Sequence, residues 1–206
     1  KVMTVSNINS ITSICHHDQK WFLSTEGQSG GMIVSVDDGM NWTQFKPALF
    51  NFSHPVTLLS FGKYLIAGTE YGGIPKIQRS QDGQQWNDIQ LAGKPLTQIH
   101  CGIISGNTIW LGVIGGVIFS TDSGSSWTSP SNNGLEHKAD EYVTSLAVTG
   151  NHLLAISSLN NFYYSWNGGD DWTKNSGNGL PANGYFFSIA IYKDTSFLGS
   201  SSGIMR

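Results

Sequence analysis

The chain has 206 residues, 12% of them charged, with a formal net charge of −3, and its only arginines are Arg79 and Arg206 beside nine scattered lysines. A nucleic-acid surface needs clustered cations to displace counterions, so that partner is excluded. One long uncharged span, 95–120, holds His100, Gln98, Asn107 and five glycines and breaks into short alternating pieces, so no membrane span is expected there.

In chain order, five apolar stretches open on or near a hydroxyl: "ITSIC" at 11, "VTLLS" at 56, "LTQIH" at 96, "VTSLA" at 143 and "FFSIA" at 186. Each precedes a second strand-like run, "KWFLST", "KYLIAGT", "TIWLGV", "HLLAIS" and "TSFLGS". A Gly or Asn turn and a third run follow, as in "GGMIVS" and "GGVIFS". Four of the five units then close on a tryptophan phrase: "SVDDGMNW" (35–42), "RSQDGQQW" (79–86), "STDSGSSW" (120–127) and "SWNGGDDW" (165–172). After each Trp, a short polar segment such as "WTQF" suits an outer strand.

The four tryptophans fall 44, 41 and 45 residues apart, the period of a four-stranded propeller blade. The sequence therefore predicts an all-β fold, a five-bladed β-propeller of four-stranded antiparallel blades. It forms a single domain over 1–206, with blades at about 7–46, 52–90, 93–130, 140–176 and 183–206 plus 1–6. Lys1–Ser6 would be the outer strand that completes the last blade and closes the ring. A segment of a larger propeller cut at the same boundary fits the same pattern.

The phrase Ser/Thr-x-Asp-x-Gly-x-x-Trp resembles the Asp box, or bacterial neuraminidase repeat, and the chain resembles β-propellers of that superfamily. "TIWLGVIGGVIFSTDSGSSW" is similar to repeats of photosystem II assembly-factor-like propellers, and also of sialidases and xyloglucanases. The residues support a structural role for the box. An Asp side chain satisfies turn amides, Gly accepts positive φ, and the Trp folds back on the sheet. The structural set is Ser35, Asp37, Gly39 and Trp42; Asp82, Gly83 and Trp86; Ser120, Asp122, Gly124 and Trp127; and Ser165, Asn167, Gly169 and Trp172. Aligned on Trp, Gln81 and Asn167 occupy the Asp slot in the second and fourth boxes. A turn tolerates that amide, whereas acid–base catalysis does not.

Antiparallel connectivity puts the boxes on one face and the second-to-third-strand turns and inter-blade links on the other, where the family resemblance implies ligand binding. Candidate ligand-binding residues there are Glu26, Glu70, Tyr71, His137, Asp140, Glu141 and Tyr185. Trp166, at a variable box position, either stacks on a sugar or packs beside Tyr163 and Tyr164. Glu26 and Glu70 occupy equivalent turns of adjacent blades, so they are a candidate glycosidase pair, with solvated turn glutamates as the plainer reading. "HHD" at 16–18 is a poor chelate because neighbours on a strand point to opposite faces. Cys15 and Cys101 lie in non-adjacent blades and are expected to be free thiols.

Two arginines cannot supply the arginine triad that sialidases use to grip a carboxylate. The expected function is therefore a non-catalytic binding or scaffold propeller with a protein or glycan ligand, in an extracytoplasmic or secreted setting. No metal and no cofactor are implied. A lectin-like propeller is the alternative, and a glycoside hydrolase using Glu26 and Glu70 comes third.

Overall fold

A computed structural model describes residues 10–26, 31–45, 54–71, 75–91, 98–135, 141–175, 180, 185–193 and 195–206, with backbone alone at Phe45, His54, Pro55, Val56, Glu70 and Tyr71. The expected closing strand at 1–6 lies outside these residues. The described elements are strands and turns, and they form five antiparallel sheets.

Two sheets belong to the first of two compact units, which comprises Lys1–Ile99 and Thr121–Ser126. One is β1 (Ser10–His17), β2 (Lys20–Glu26), β3 (Gly31–Ser35) and β4 (Thr43–Phe45) in spatial order. The other is β5 (His54–Phe61), β6 (Tyr64–Tyr71), β7 (Ile77–Ser80) and β8 (Asn87–Ile89). The second unit, His100–Ser120 and Trp127–Arg206, is built on three sheets. These are β9 (Ile99–Ser105), β10 (Thr108–Val113) and β11 (Gly116–Ser120); β12 (Val143–Thr149), β13 (His152–Ser157), β14 (Phe162–Ser165) and β15 (Thr173–Lys174); and β16 (Phe186–Tyr192), β17 (Thr195–Ser200) and β18 (Gly203–Met205). In the third sheet the outer strand shrinks to one bridge, Phe119 to Thr128.

The repeat seen in sequence reappears as repeated backbone geometry. Each first hairpin turns tightly, with positive φ at Asp18, Gly62, Gly106, Gly150 and Lys193, the conformation that lets a two-residue turn match strand twist. The register of four first strands skips one residue at the same place, at Thr12, Val56, Thr144 and Phe187. Just after this bulge a serine hydroxyl reaches the next sheet of its unit. Ser13 Oγ accepts the Leu58 N–H at 3.1 Å and Ser145 Oγ accepts the Ile189 N–H at 3.2 Å.

The second strands β2, β10 and β13 are buried on both sides over most of their length, β10 (TIWLGV) almost throughout, whereas β17 is fully buried only at Leu198. In the first unit Phe22, Met32, Leu58, Leu65, Ala67 and Trp86 pack together. The second unit has one core around Trp110, Leu146, Leu153, Tyr163 and Trp172, and another around Ala147, Ile156, Ile189 and Leu198. Cys15 and Cys101 are free, as expected.

Candidate functional site

Four Trp-ended turns end the hairpins at one edge of their sheets, and their carboxylates are occupied. Asp37 accepts from Ser35 Oγ (2.9 Å), the Asn41 N–H (2.8 Å) and Asn41 Nδ2 (2.7 Å). Asp82 accepts from Ser80 Oγ (3.0 Å) and from the N–H groups of Gln84 (2.8 Å) and Gln85 (2.9 Å). Asp122 accepts from the N–H and hydroxyl of Ser126 (2.9 and 2.7 Å). These bonds favour the charged form, so Asp37 and Asp82 titrate below the ordinary aspartate value, chiefly through the Asn41 and Gln85 backbone N–H groups respectively. A carboxylate held this way is a turn anchor and a poor proton donor.

The second turn corrects the alignment. Asp82, not Gln81, fills the carboxylate slot, because this turn has one residue fewer between acid and glycine: the Gly83 N–H reaches Ser80 Oγ at 2.8 Å. In the fourth turn Asn167 does take the slot, accepting from Ser165 Oγ and the Asp171 N–H, both at 3.0 Å. The indoles of Trp42, Trp86 and Trp172 donate to the carbonyls of Gly39, Gly83 and Gly169 at 2.9, 2.9 and 3.0 Å. The buried Trp127 indole N–H has no acceptor among the described residues.

Of the predicted binding residues, the structure describes the side chains of Glu26, Glu141, Trp166 and Tyr185. Glu26 is exposed and accepts from Ser10 Oγ at 2.6 Å. The side chains of Glu70 and Tyr71, together with His137 and Asp140, lie outside the described residues, and so does the separation of the Glu26 and Glu70 carboxyls. Glu141 is turned inward at 4% exposure; its Oε1 accepts from Asn161 Nδ2 (2.9 Å) and Tyr163 Oη (3.2 Å), and its Oε2 has no partner among the described residues. Tyr185 is 70% exposed. Trp166 is 62% exposed, edge-on to His152 at 4.4 Å and 5.8 Å from Tyr164. Tyr163 sits on the opposite face of β14, fully buried. "HHD" separates as alternation requires: His17 is buried and hydrogen-bonds Ser60 Oγ at 2.9 Å, while His16 packs on Trp21 at 4.9 Å. Among the described residues no three His, Cys, Asp or Glu side chains gather as a metal site.

Sequence alone did not single out the space between a sheet and the next Trp-ended turn. In the first unit a cleft of about 470 Å³ lies between Lys20, Phe22, Val34, Val36 and Thr43 and the turn at Asp82, Gly83 and Gln84. In the second unit an equivalent cleft of about 460 Å³ lies between Thr108, Trp110, Phe119 and Thr128 and the turn at Asn167, Gly168 and Asp170, with Ser129, Pro130, Ser131 and Asn151 beside it. The same position on the β5–β8 sheet is taken by Arg79, whose guanidinium stacks 4.1 Å from the Tyr64 ring and donates to Ser123 O and Ser125 Oγ. The signal was present in the repeat alignment: Lys20, Tyr64, Thr108 and His152 open equivalent second strands, and the residues there differ in chemistry.

Neither a protein-family model nor a curated protein sequence matches the chain. Solved structures do. YCF48 from Cyanidioschyzon merolae aligns with 95% of this chain and 65% of its own at 16% identity, TM-score 0.66. An ancestral GH74 enzyme aligns with 96% of this chain and 30% of its own at 16% identity, TM-score 0.72. The extracellular domain of a one-component system from B. thetaiotaomicron aligns with 94% of this chain and 27% of its own at 16% identity, TM-score 0.66. The chain thus spans just under two thirds of YCF48 and under a third of the other two. At this identity the likeness establishes fold: the five antiparallel sheets are those of a five-bladed β-propeller.

Proposed function

We propose that this chain is a non-catalytic binding propeller that recognises a protein ligand through the link-bearing end of its second unit. One observation carries this reading: Leu159, Tyr185 and Phe187 stand 48%, 70% and 65% exposed on hydrogen-bonded backbone. The Phe186 N–H donates to Asn160 Oδ1 at 2.7 Å, which brings the β13–β14 turn to the start of β16. Tyr185 and Ser201 exchange two bonds, N–H to Oγ at 3.0 Å and N–H to carbonyl at 2.9 Å. Aromatic side chains on an ordered backbone lose little entropy on docking and bury large area, the pattern of interface hot spots.

The Trp-ended turns are read as Asp boxes that brace the hairpins, which leaves Asp37, Asp82 and Asp122 without a chemical role. The likeness to GH74 enzymes carries fold and no catalytic residue, since none of the described carboxylates is both exposed in a cleft and free of a turn or wall contact. The test compares the immobilised chain with a Tyr185→Ser/Phe187→Ser variant of unchanged circular dichroism. A protein from the native source that binds the wild type and is lost from the variant is the expected result. Equal retention by both, or none by the wild type, refutes the reading.

A further inference from the structure

The geometry points to a second, separate site: we propose that the cleft of the second unit, between β10–β11 and the turn at 167–170, binds a neutral pyranose ring. The floor is aromatic. Half-buried Phe119 and Trp110, a core residue with 7% of its surface exposed, lie 4.9 Å apart at 39° and both line the cleft, Phe119 giving the larger open face. The C–H face of a sugar is the partner such rings accept, since its weakly positive hydrogens meet the negative π face.

The rim supplies hydrogen bonding that the protein does not use. Thr108, Thr128, Ser131 and Asn151 line the cleft, and their side chains make no hydrogen bond among the described residues. Asp170 spends one carboxylate oxygen on the Ser131 N–H at 3.1 Å and leaves the other open. Thr128, Ser131, Asn151 and Asp170 are exposed and Thr108 is half-buried, so water serves these groups in the free protein and a ligand's hydroxyls take its place on binding. A sugar hydroxyl both donates and accepts, and this mixed rim is its complement. The cleft volume of about 460 Å³ lies in the range of small-ligand pockets, roughly 300–1,000 Å³.

Charge selects among sugars. Among the described residues lining the cleft Asp170 is the only acid, and they include no Lys, Arg or His, so an acidic sugar meets repulsion without compensation. The walls are held in place beforehand. Chain 132–133 runs along the turn, with the Asn132 and Asn133 N–H groups donating to Gly169 O (3.1 Å) and Asp170 O (2.8 Å). Buried Asn132 ties this segment to both the N–H and the carbonyl of Val117, each at 3.1 Å. Preorganisation of this kind lowers the cost of binding. The equivalent cleft of the first unit differs: its floor of Phe22, Val34 and Val36 is largely aliphatic, Lys20 adds a cation, and Asp37 and Asp82 are consumed by their turns. Of these two clefts only that of the second unit carries the set, which predicts binding there and not in the first unit.

The test is titration followed by tryptophan fluorescence, using methyl β-glucoside, methyl β-galactoside, methyl α-mannoside and a methyl sialoside. At least one neutral glycoside is expected to saturate at millimolar concentration while the sialoside does not. Asn151→Ala and Asp170→Asn, both at exposed positions, are expected to weaken binding about tenfold each, the loss of one good hydrogen bond. Asp170→Asn keeps an acceptor for the Ser131 N–H, so the wall stays in place. Tyr185→Ser should leave the titration unchanged, which separates this site from the protein-binding reading. No saturation with any neutral glycoside, undiminished binding by both cleft variants, or equal binding of the sialoside overturns the proposal.

Discussion

Gly83→Ala is a sharp test of how the Trp-ended turns join neighbouring sheets. Gly83 has φ +77°, and an added Cβ would lie 2.6 Å from Cζ of Phe22 and closer still to its Cε1. Phe22 is 1% exposed and packed, so the ring has little room to yield. The left-handed backbone costs an L-residue about 1–2 kcal/mol. Forcing a methyl into a packed ring adds about 1–3 kcal/mol, for a total of roughly 2–5 kcal/mol. Gly62→Ala is the control, with φ +57° and nothing within 4 Å of the new Cβ, so it carries the backbone cost alone, about 1 kcal/mol once offset by the entropy the unfolded chain loses. Urea unfolding followed by tryptophan fluorescence gives both values. Phe22→Leu removes the clashing ring edge, so the double variant Gly83→Ala/Phe22→Leu should be more stable than additivity predicts, by about 1 kcal/mol. Equal losses in the two glycine variants, or strict additivity with Phe22→Leu, would refute the packing argument.

Acid should weaken the fold through the turn carboxylates. Asp37, Asp82 and Asp171 are held below the ordinary value of 3.8, the last through the Asn133 and Asn167 side chains. With the folded value depressed, their stabilisation is complete above the unfolded value and fades as pH falls through it toward the folded value. Urea midpoints measured from neutral pH to below pH 3.8 should fall, and Asp82→Asn should flatten the profile; an unchanged slope in the variant contradicts the assignment. Burial pushes both Cys15 and Cys101 up to about 12. Neither thiol should react with Ellman's reagent in the native protein at pH 8, and both should react once denaturant is added; prompt reaction of either shows the burial to be wrong.

The repeat, the strand order within each sheet and the turn chemistry were legible in the sequence because they depend on local rules. Period-two patterning, glycine at positive φ and an Asp or Asn after Ser all act within a few residues. Where a local rule admitted two alignments, as at Gln81 and Asp82, only the hydrogen bond from the Gly83 N–H to Ser80 Oγ chose between them. Exposure also escaped the pattern. Glu141 reads as one acid in a polar link, yet Asn161 and Tyr163 draw it inward, because a buried amide and phenol need an acceptor. The cleft of the second unit is the clearest case. Thr108, Trp110, Phe119, Asn151 and Asp170 are spread over 63 residues of chain, and no single motif groups them. The sequence by itself determined which side chains point toward the neighbouring sheet, since alternation settles that strand by strand. Whether the space they face is filled, as by Arg79, or left open, as beside Trp110, depends on side-chain size and partners across the gap. That is a property of packed sheets, and only the tertiary structure decides it.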